Sequence, residues 1–451
     1  MPESQRLTLP SDVELIRLAI PLILANMAVP ILGLADTAVI GHFGTVEELS
    51  AIALGTMIFN FVFWTFGFLR MGTTALVAQA SGARNAIEVR TSLARGLSIA
   101  VSIGALLLLL NGPILRIALY AFPADSDVHA AAMRYYRYRI LGAPASLSLF
   151  VLFGGLIGLG KTRKVFTLQL LMSGLNLALN LILGAALAMG IEGIALGTTL
   201  AEWTALGLGL RMVYRFLESE RSVDEPFVDR TSLRDGGALL RTMRAHTDIL
   251  IRTFFLLLGF GYFTRIGAGF GAVPLAANHL LLQIISLSAF FLDGFANLTE
   301  AIVGRAVGAR DVSHFIAASK RTTRLAFFTA VGLASLALLA GPYFLLVLSE
   351  HREVTALATR YLPFVAVYLL FAVFAFQLDG IFLGALFTRS LRNAAIVSSI
   401  AFIMLSWPLI DFYENAGLWT AFVLYALLRM ASLLLALRWE LPRFRRGADR
   451  G

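Results

Sequence analysis

Long apolar runs and short polar connections alternate along the whole chain. Runs long enough to cross about 30 Å of hydrocarbon as a helix fall near residues 15–40, 50–76, 97–120, 135–159, 166–188, 194–216, 249–271, 276–303, 325–348, 360–386, 394–412 and 417–437. They predict twelve transmembrane helices, several of them long enough to require tilt or a kink. The longest and most polar connection, 218–248, contains ESERSVDEP and reads as a cytoplasmic linker. It divides the chain into an N-lobe over 1–217 and a C-lobe over 249–440, with a basic tail over 441–451.

The two halves resemble each other. LVAQASGARN at 76–85 aligns with IVGRAVGARD at 302–311, and ELSAIAL at 48–54 with PLAANHL at 274–280, both at an offset of 226. GGLIGLG at 154–160 faces DGIFLGA at 379–385 at an offset of 225. Six helices per half restore the starting orientation, so the repeats are parallel, related by a pseudo-twofold axis along the membrane normal. Sites in such proteins lie near the middle of the membrane. The expected fold class is therefore an all-α polytopic membrane protein of two six-helix lobes.

Composition agrees: 58% of the 451 residues are hydrophobic, 14% are charged, and mean hydropathy is +0.79. A soluble fold of this length needs a polar skin that such a sequence lacks. The net charge of +9 could suggest nucleic acid, but the basic residues sit in alternate loops rather than on one helix face. The N-terminus, every second loop and the tail hold 27 of them against 7 in the other loops, which places both termini in the cytoplasm. The cluster Arg134, Arg137 and Arg139 is the local exception. With no cysteine, disulfides, thiolate metal sites and cysteine nucleophiles are excluded.

Catalytic signatures are missing. The six histidines are scattered and no HExxH, GxSxG or Walker pattern occurs, so ATP is not a direct energy source. Attention falls on ionisable residues inside the apolar runs, each costing about 2.5–3.5 kcal/mol on insertion scales: Asp36, Arg70, Glu202, Arg252, Asp293, Glu300 and Asp379. Asp293 and Glu300 are two helical turns apart and share a face, with Arg252 and Arg305 as expected partners. Asp36 has no basic residue near it other than Arg17. Burial favours the neutral form of a carboxyl, which suits Asp36 to carry a proton. Pro21 and Pro30 weaken the same helix. In the fifth run Asn176 and Asn180 point the same way, and Thr198 and Thr199 open the sixth. These groups either bond neighbouring helices or complete an oxygen site beside Asp36.

Together LAIPLILANMAVPILGLADTAVIGHFG, FLRMGTTALVAQASGARN, FLDGFANLTEAIVGRAVGARD and LDGIFLGA resemble the multidrug and toxic compound extrusion (MATE) family, most closely its DinF-like branch. The resemblance implies a V-shaped pair of six-helix lobes exporting small amphipathic, often cationic, compounds in exchange for H⁺ or Na⁺. It implies a location in a bacterial-type inner membrane, with no cofactor, no nucleic acid and no obligatory protein partner. The family's first-span aspartate falls on Asp36, its bending proline on Pro21, and its N-lobe cation pocket on Asn176, Asn180 and Thr198. Glu202, Arg252, Asp293, Glu300 and Asp379 remain secondary intramembrane charges. Where many relatives carry LDP in the fifth span this chain has ALNL, so Asn180 replaces a carboxylate. The seventh-span glutamate of other branches is absent, with Tyr262 and Phe263 in that region. Both departures favour H⁺ over Na⁺. A lipid-linked oligosaccharide flippase of the same superfamily is the alternative, and a polytopic membrane enzyme is a weaker one.

Overall fold

The computed structural model describes residues 9–43, 46–121, 125–219, 221, 226–228 and 235–449, without the side chains of 34–43, 46–47, 60–62, 64 and 118. The described residues are helical, with no strand among them. In chain order the helices are α1 (Asp12–Phe43), α2 (Val46–Thr65), α3 (Phe68–Gly82), α4 (Ala86–Leu109), α5 (Asn111–Ala121), α6 (Ser126–Arg139), α7 (Ala143–Gly158), α8 (Thr162–Leu179), α9 (Gly190–Ser219), α10 (Gly236–Ala268), α11 (Ala272–Gly308), α12 (Val312–Leu339), α13 (Gly341–Leu348), α14 (Arg352–Gly384) and α15 (Thr388–Asp449). A π-helical stretch, Asn180–Ala186, extends α8.

Nine helical stretches among the described residues are long and apolar enough to cross a membrane. Three of the twelve predicted spans do not stand out separately. One is split between α2 and α3, one is α9, and the last two lie on either side of the non-helical Glu414 (φ 48°), which divides α15 into two helices. Large apolar side chains such as Leu109, Val347 and Phe412 are exposed, which suits hydrocarbon rather than water. The chain is an all-α, multi-pass membrane protein.

The described residues form two compact units: an N unit, Leu24–Thr242, and a C unit, Met1–Ile23 with Met243–Gly451. Their architecture repeats residue for residue at an offset of 226. Helix α11 corresponds to α2 plus α3, α12 begins where α4 does, α14 corresponds to α6 plus α7, and α15 begins where α8 does. Even the backbone breaks repeat. Arg84 and Arg310 have φ of 55° and 56°, Ala188 and Glu414 have 54° and 48°, and Gly160 pairs with Leu386. Asn85 caps α4 by accepting from the Glu88 N–H (2.9 Å), and its counterpart Asp311 caps α12 by accepting from the His314 N–H (2.8 Å). A short polar side chain at the N-cap satisfies an amide that the helix cannot.

Packing corrects the third sequence alignment. Gly154 and Gly158 bring α7 against α3 so closely that a Cβ on Gly158 would lie 2.6 Å from the Thr74 carbonyl oxygen and 3.0 Å from the Ala78 nitrogen. Gly380 and Gly384 do the same for α14 on α11, against Ala296, Glu300 and Gly304. Small residues four apart permit such backbone approach in lipid. The structural pairs are Gly154 with Gly380 and Gly158 with Gly384, so the offset is 226 here too, not 225.

Candidate functional site

In the N unit, α8 presents Asn176 and Asn180 one turn apart, and α9 presents Thr198 to them. The Asn180 amide donates to Asn176 Oδ1 (3.1 Å), the Asn176 amide donates to Thr198 Oγ1 (2.8 Å), and the Thr198 hydroxyl donates to the Ile194 carbonyl (3.0 Å). All three predicted pocket residues therefore join one chain, with both asparagines buried. Gly197 makes room for it: a Cβ there would sit 3.1 Å from the Asn180 nitrogen and closer still to its amide oxygen. The helix leaves α geometry at Asn180, and π-turns of this kind gather at functional positions. Thr199 faces elsewhere and donates to the Tyr138 carbonyl (2.9 Å).

Asp36 lies in α1, but its side chain is outside the described residues. Pro21 is buried in the same helix, which stays α-helical through both Pro21 and Pro30.

Glu202 on α9 is held by Arg139 at the end of α6. Two guanidinium nitrogens donate to its two oxygens at 2.8 and 2.7 Å, and both residues are buried. The guanidinium also lies 5.3 Å from the ring centres of Phe59 and Phe63. Gly142 fits beneath this pair, since a Cβ there would lie 2.5 Å from Glu202 Oε2. The sequence had suggested no partner for Glu202. The signal was the basic cluster at 134–139, on the side where the other loops are poor in Arg and Lys.

The C unit holds a second charged group. Arg252 of α10 and Arg429 of α15 both donate to Oδ2 of Asp379 on α14. Arg252 had been expected to serve the acidic face of α11, yet its ion pair is with Asp379. Asp293 on α11 is half-buried and attracts both guanidiniums from further away. Glu300 is buried where α11 meets α14, beside Thr299, whose hydroxyl donates to Gln377 Oε1 (2.7 Å). Arg429 lies inside the predicted run 417–437, and its place there was the signal that the sequence reading missed. Among the described residues no three His, Asp or Glu side chains gather to hold a metal ion.

Buried ion pairs of this kind neutralise charge inside hydrocarbon.

Comparison with known proteins adds identity to geometry. The family model MatE matches residues 21–182 and 249–408, one segment in each repeat. The chain is 36% identical over 423 residues to DNA damage-inducible protein F of Escherichia coli (strain K12), covering 94% of this chain and 91% of that protein. It is 24% identical to multidrug resistance protein MdtK of Photorhabdus laumondii, covering 91% and 92%. Among solved structures, an outward-facing multidrug resistance MATE family transporter of the MOP superfamily superposes with a TM-score of 0.85 at 19% identity, covering 96% of each chain.

Proposed function

Because the chain belongs to the MATE family of multidrug efflux transporters, we propose that it exports small amphipathic, often cationic, compounds in exchange for H⁺. In this reading Asp36 takes up and releases the proton, α1 bends near Pro21, and the two lobes alternate access. The protein sits in a bacterial-type inner membrane with both termini in the cytoplasm.

The observation that carries the proton assignment is the neutrality of the polar chain Asn176–Asn180–Thr198. A dehydrated Na⁺ is held best by anionic oxygens, and this chain supplies amide and hydroxyl groups alone. A single carboxyl such as Asp36 suffices for one proton. The other intramembrane carboxylates with defined partners are already neutralised, Glu202 by Arg139 and Asp379 by two arginines. The repeat adds support. At an offset of 226 the counterparts of Asp36 and Asn180 are Tyr262 and Ser406, whose hydroxyls are hydrogen-bonded at 2.7 Å. The duplicated framework thus brings these two positions together in the C unit, and Asp36 is proposed to work against Asn180 in the N unit.

One pH unit supplies about 1.4 kcal/mol per proton and 100 mV about 2.3 kcal/mol, enough together for more than tenfold accumulation of a neutral substrate. The test is transport of a fluorescent cation by purified protein in liposomes with separately imposed pH and Na⁺ gradients. An inward pH gradient should drive export without sodium, and Asp36→Asn should abolish it while the protein still purifies folded. Strict Na⁺ dependence, or wild-type transport by the variant, overturns the assignment.

A further inference from the structure

The C unit carries a groove of about 450 Å³ between α12, α14 and α15 that transport as proposed does not use. Its walls are largely apolar, with Phe327, Phe374, Leu378 and Leu434 among them, and Lys320 and Arg324 stand at one end. Successive turns of α12 grade from polar to apolar along it, from Ser319 and Lys320 through Thr323 and Arg324 to Phe327. That gradient has the shape of an amphiphile.

Charge at the polar end is in excess. Arg324 and Arg321 both pair with the same carboxylate, Asp12 of α1, and exposed Lys320 adds a third cation. Among the described residues three cations thus gather around one anion, Asp12. Glu14, two residues along α1, accepts from the Ser11 amide (2.8 Å) and hydroxyl (3.0 Å). Of these cations the duplicated framework keeps only Arg321, whose counterpart is Arg95. In the N unit the counterparts of Lys320, Arg324, Phe327 and Phe374 are Ala94, Ser98, Val101 and Ser148, which supply neither charge nor rings.

We propose that this groove binds one anionic phospholipid, taken from the leaflet on the side of the α12 N-terminus. Its phosphate lies between Lys320 and Arg324, and an acyl chain runs along Phe327, Phe374 and Leu434. Basic pockets between transmembrane helices recognise anionic headgroups in this way. The apolar walls select a lipid over a free anion, since inorganic phosphate gains nothing from them. The proposal rests on the chain being a membrane protein and is independent of the coupling ion.

The experiment is native mass spectrometry of delipidated protein titrated with phosphatidylglycerol or with phosphatidylcholine of the same acyl chains. Phosphatidylglycerol should bind about fivefold or more tightly than phosphatidylcholine, the size expected for one basic side chain at a lipid headgroup. Lys320→Gln, at an exposed position, should remove most of that preference and leave phosphatidylcholine binding unchanged. Leu434→Trp, which fills the groove, should weaken both lipids. Equal binding of the two lipids by the unmodified protein, an undiminished preference in Lys320→Gln, or displacement of phosphatidylglycerol by millimolar inorganic phosphate would each overturn the proposal.

Discussion

Arg139 and Glu202 illustrate what a single buried pair does in this protein. Both ends of the bridge are buried, so removing one partner strands a charge in low dielectric, at a cost of about 3–5 kcal/mol. Glu202→Gln should therefore lower the melting temperature in detergent clearly, and Arg139→Gln in the same chain should recover part of the loss. Thermal unfolding of the two single variants and the double variant measures this. Asp379 makes the complementary case. Two guanidiniums converge on one of its oxygens, so Asp379→Asn leaves two like charges facing each other. It should be destabilised more than Glu202→Gln, and Arg429→Gln combined with it should be more stable than Asp379→Asn alone. A double variant no better than the single one would show that the cluster is not an electrostatic unit. At this scale the sequence could nominate charged residues but not match them. Pairing joins positions 63, 127 and 50 residues apart, and only the fold brings those together.

Glycines, besides the ion pairs, join helices in this chain. On α7 and α14 the pairs Gly154/Gly158 and Gly380/Gly384 set the backbone in direct contact with α3 and α11. Backbone atoms cannot retreat as a flexible side chain can, so an added methyl overpacks the contact by about 1–3 kcal/mol. Gly384→Ala should accordingly lower the melting temperature by several degrees. Gly174→Ala, on α8 where a new Cβ would meet nothing within 4 Å, should be neutral or slightly stabilising because alanine favours helix over glycine. Comparable losses at both positions would argue that helix propensity and not helix contact sets the effect. The break at Glu414 serves the same level of organisation. Beyond it Asn415 exchanges hydrogen bonds with Asn278 of α11 (2.8 and 3.1 Å), and Trp419 donates to the same Asn278 (2.8 Å), which ties the last part of α15 into the C unit.

Across the whole molecule, the distribution of basic residues sets orientation. The chain has no cysteine, so single cysteines report topology without a background. Gly112, Gly236 and Gly447 have open space around them and tolerate the change. Gly236→Cys and Gly447→Cys should resist a membrane-impermeant maleimide in intact cells, and Gly112→Cys should react. The reverse pattern would place the termini outside. The neutral N-unit chain also bears on the energy source of the whole cycle: Asn180→Asp restores a carboxylate beside Asn176 and Thr198 and should raise the sodium sensitivity of transport in liposomes. An unaltered sodium response would separate this polar chain from ion coupling.

Sequence by itself determined that the chain is a polytopic membrane protein, that it is internally duplicated, and to which family it belongs. Each of these depends on hydropathy and motifs that are local in the chain or recur at a constant interval. It also singled out Asn176, Asn180 and Thr198, because two of them lie one turn apart on a single helix. Tertiary structure decided the rest. It chose Arg139 for Glu202 and Arg252 with Arg429 for Asp379, and moved one alignment by a residue through the glycine contacts. The physical reason is the difference between framework and chemistry. Glycine contacts, caps and breaks repeat at an offset of 226, whereas the Arg139–Glu202 pair does not: the counterparts of Arg139 and Glu202 are Val365 and Leu428. Periodicity in a sequence can reveal what was duplicated, but a charge that arose in one half alone finds its partner only when the helices are packed.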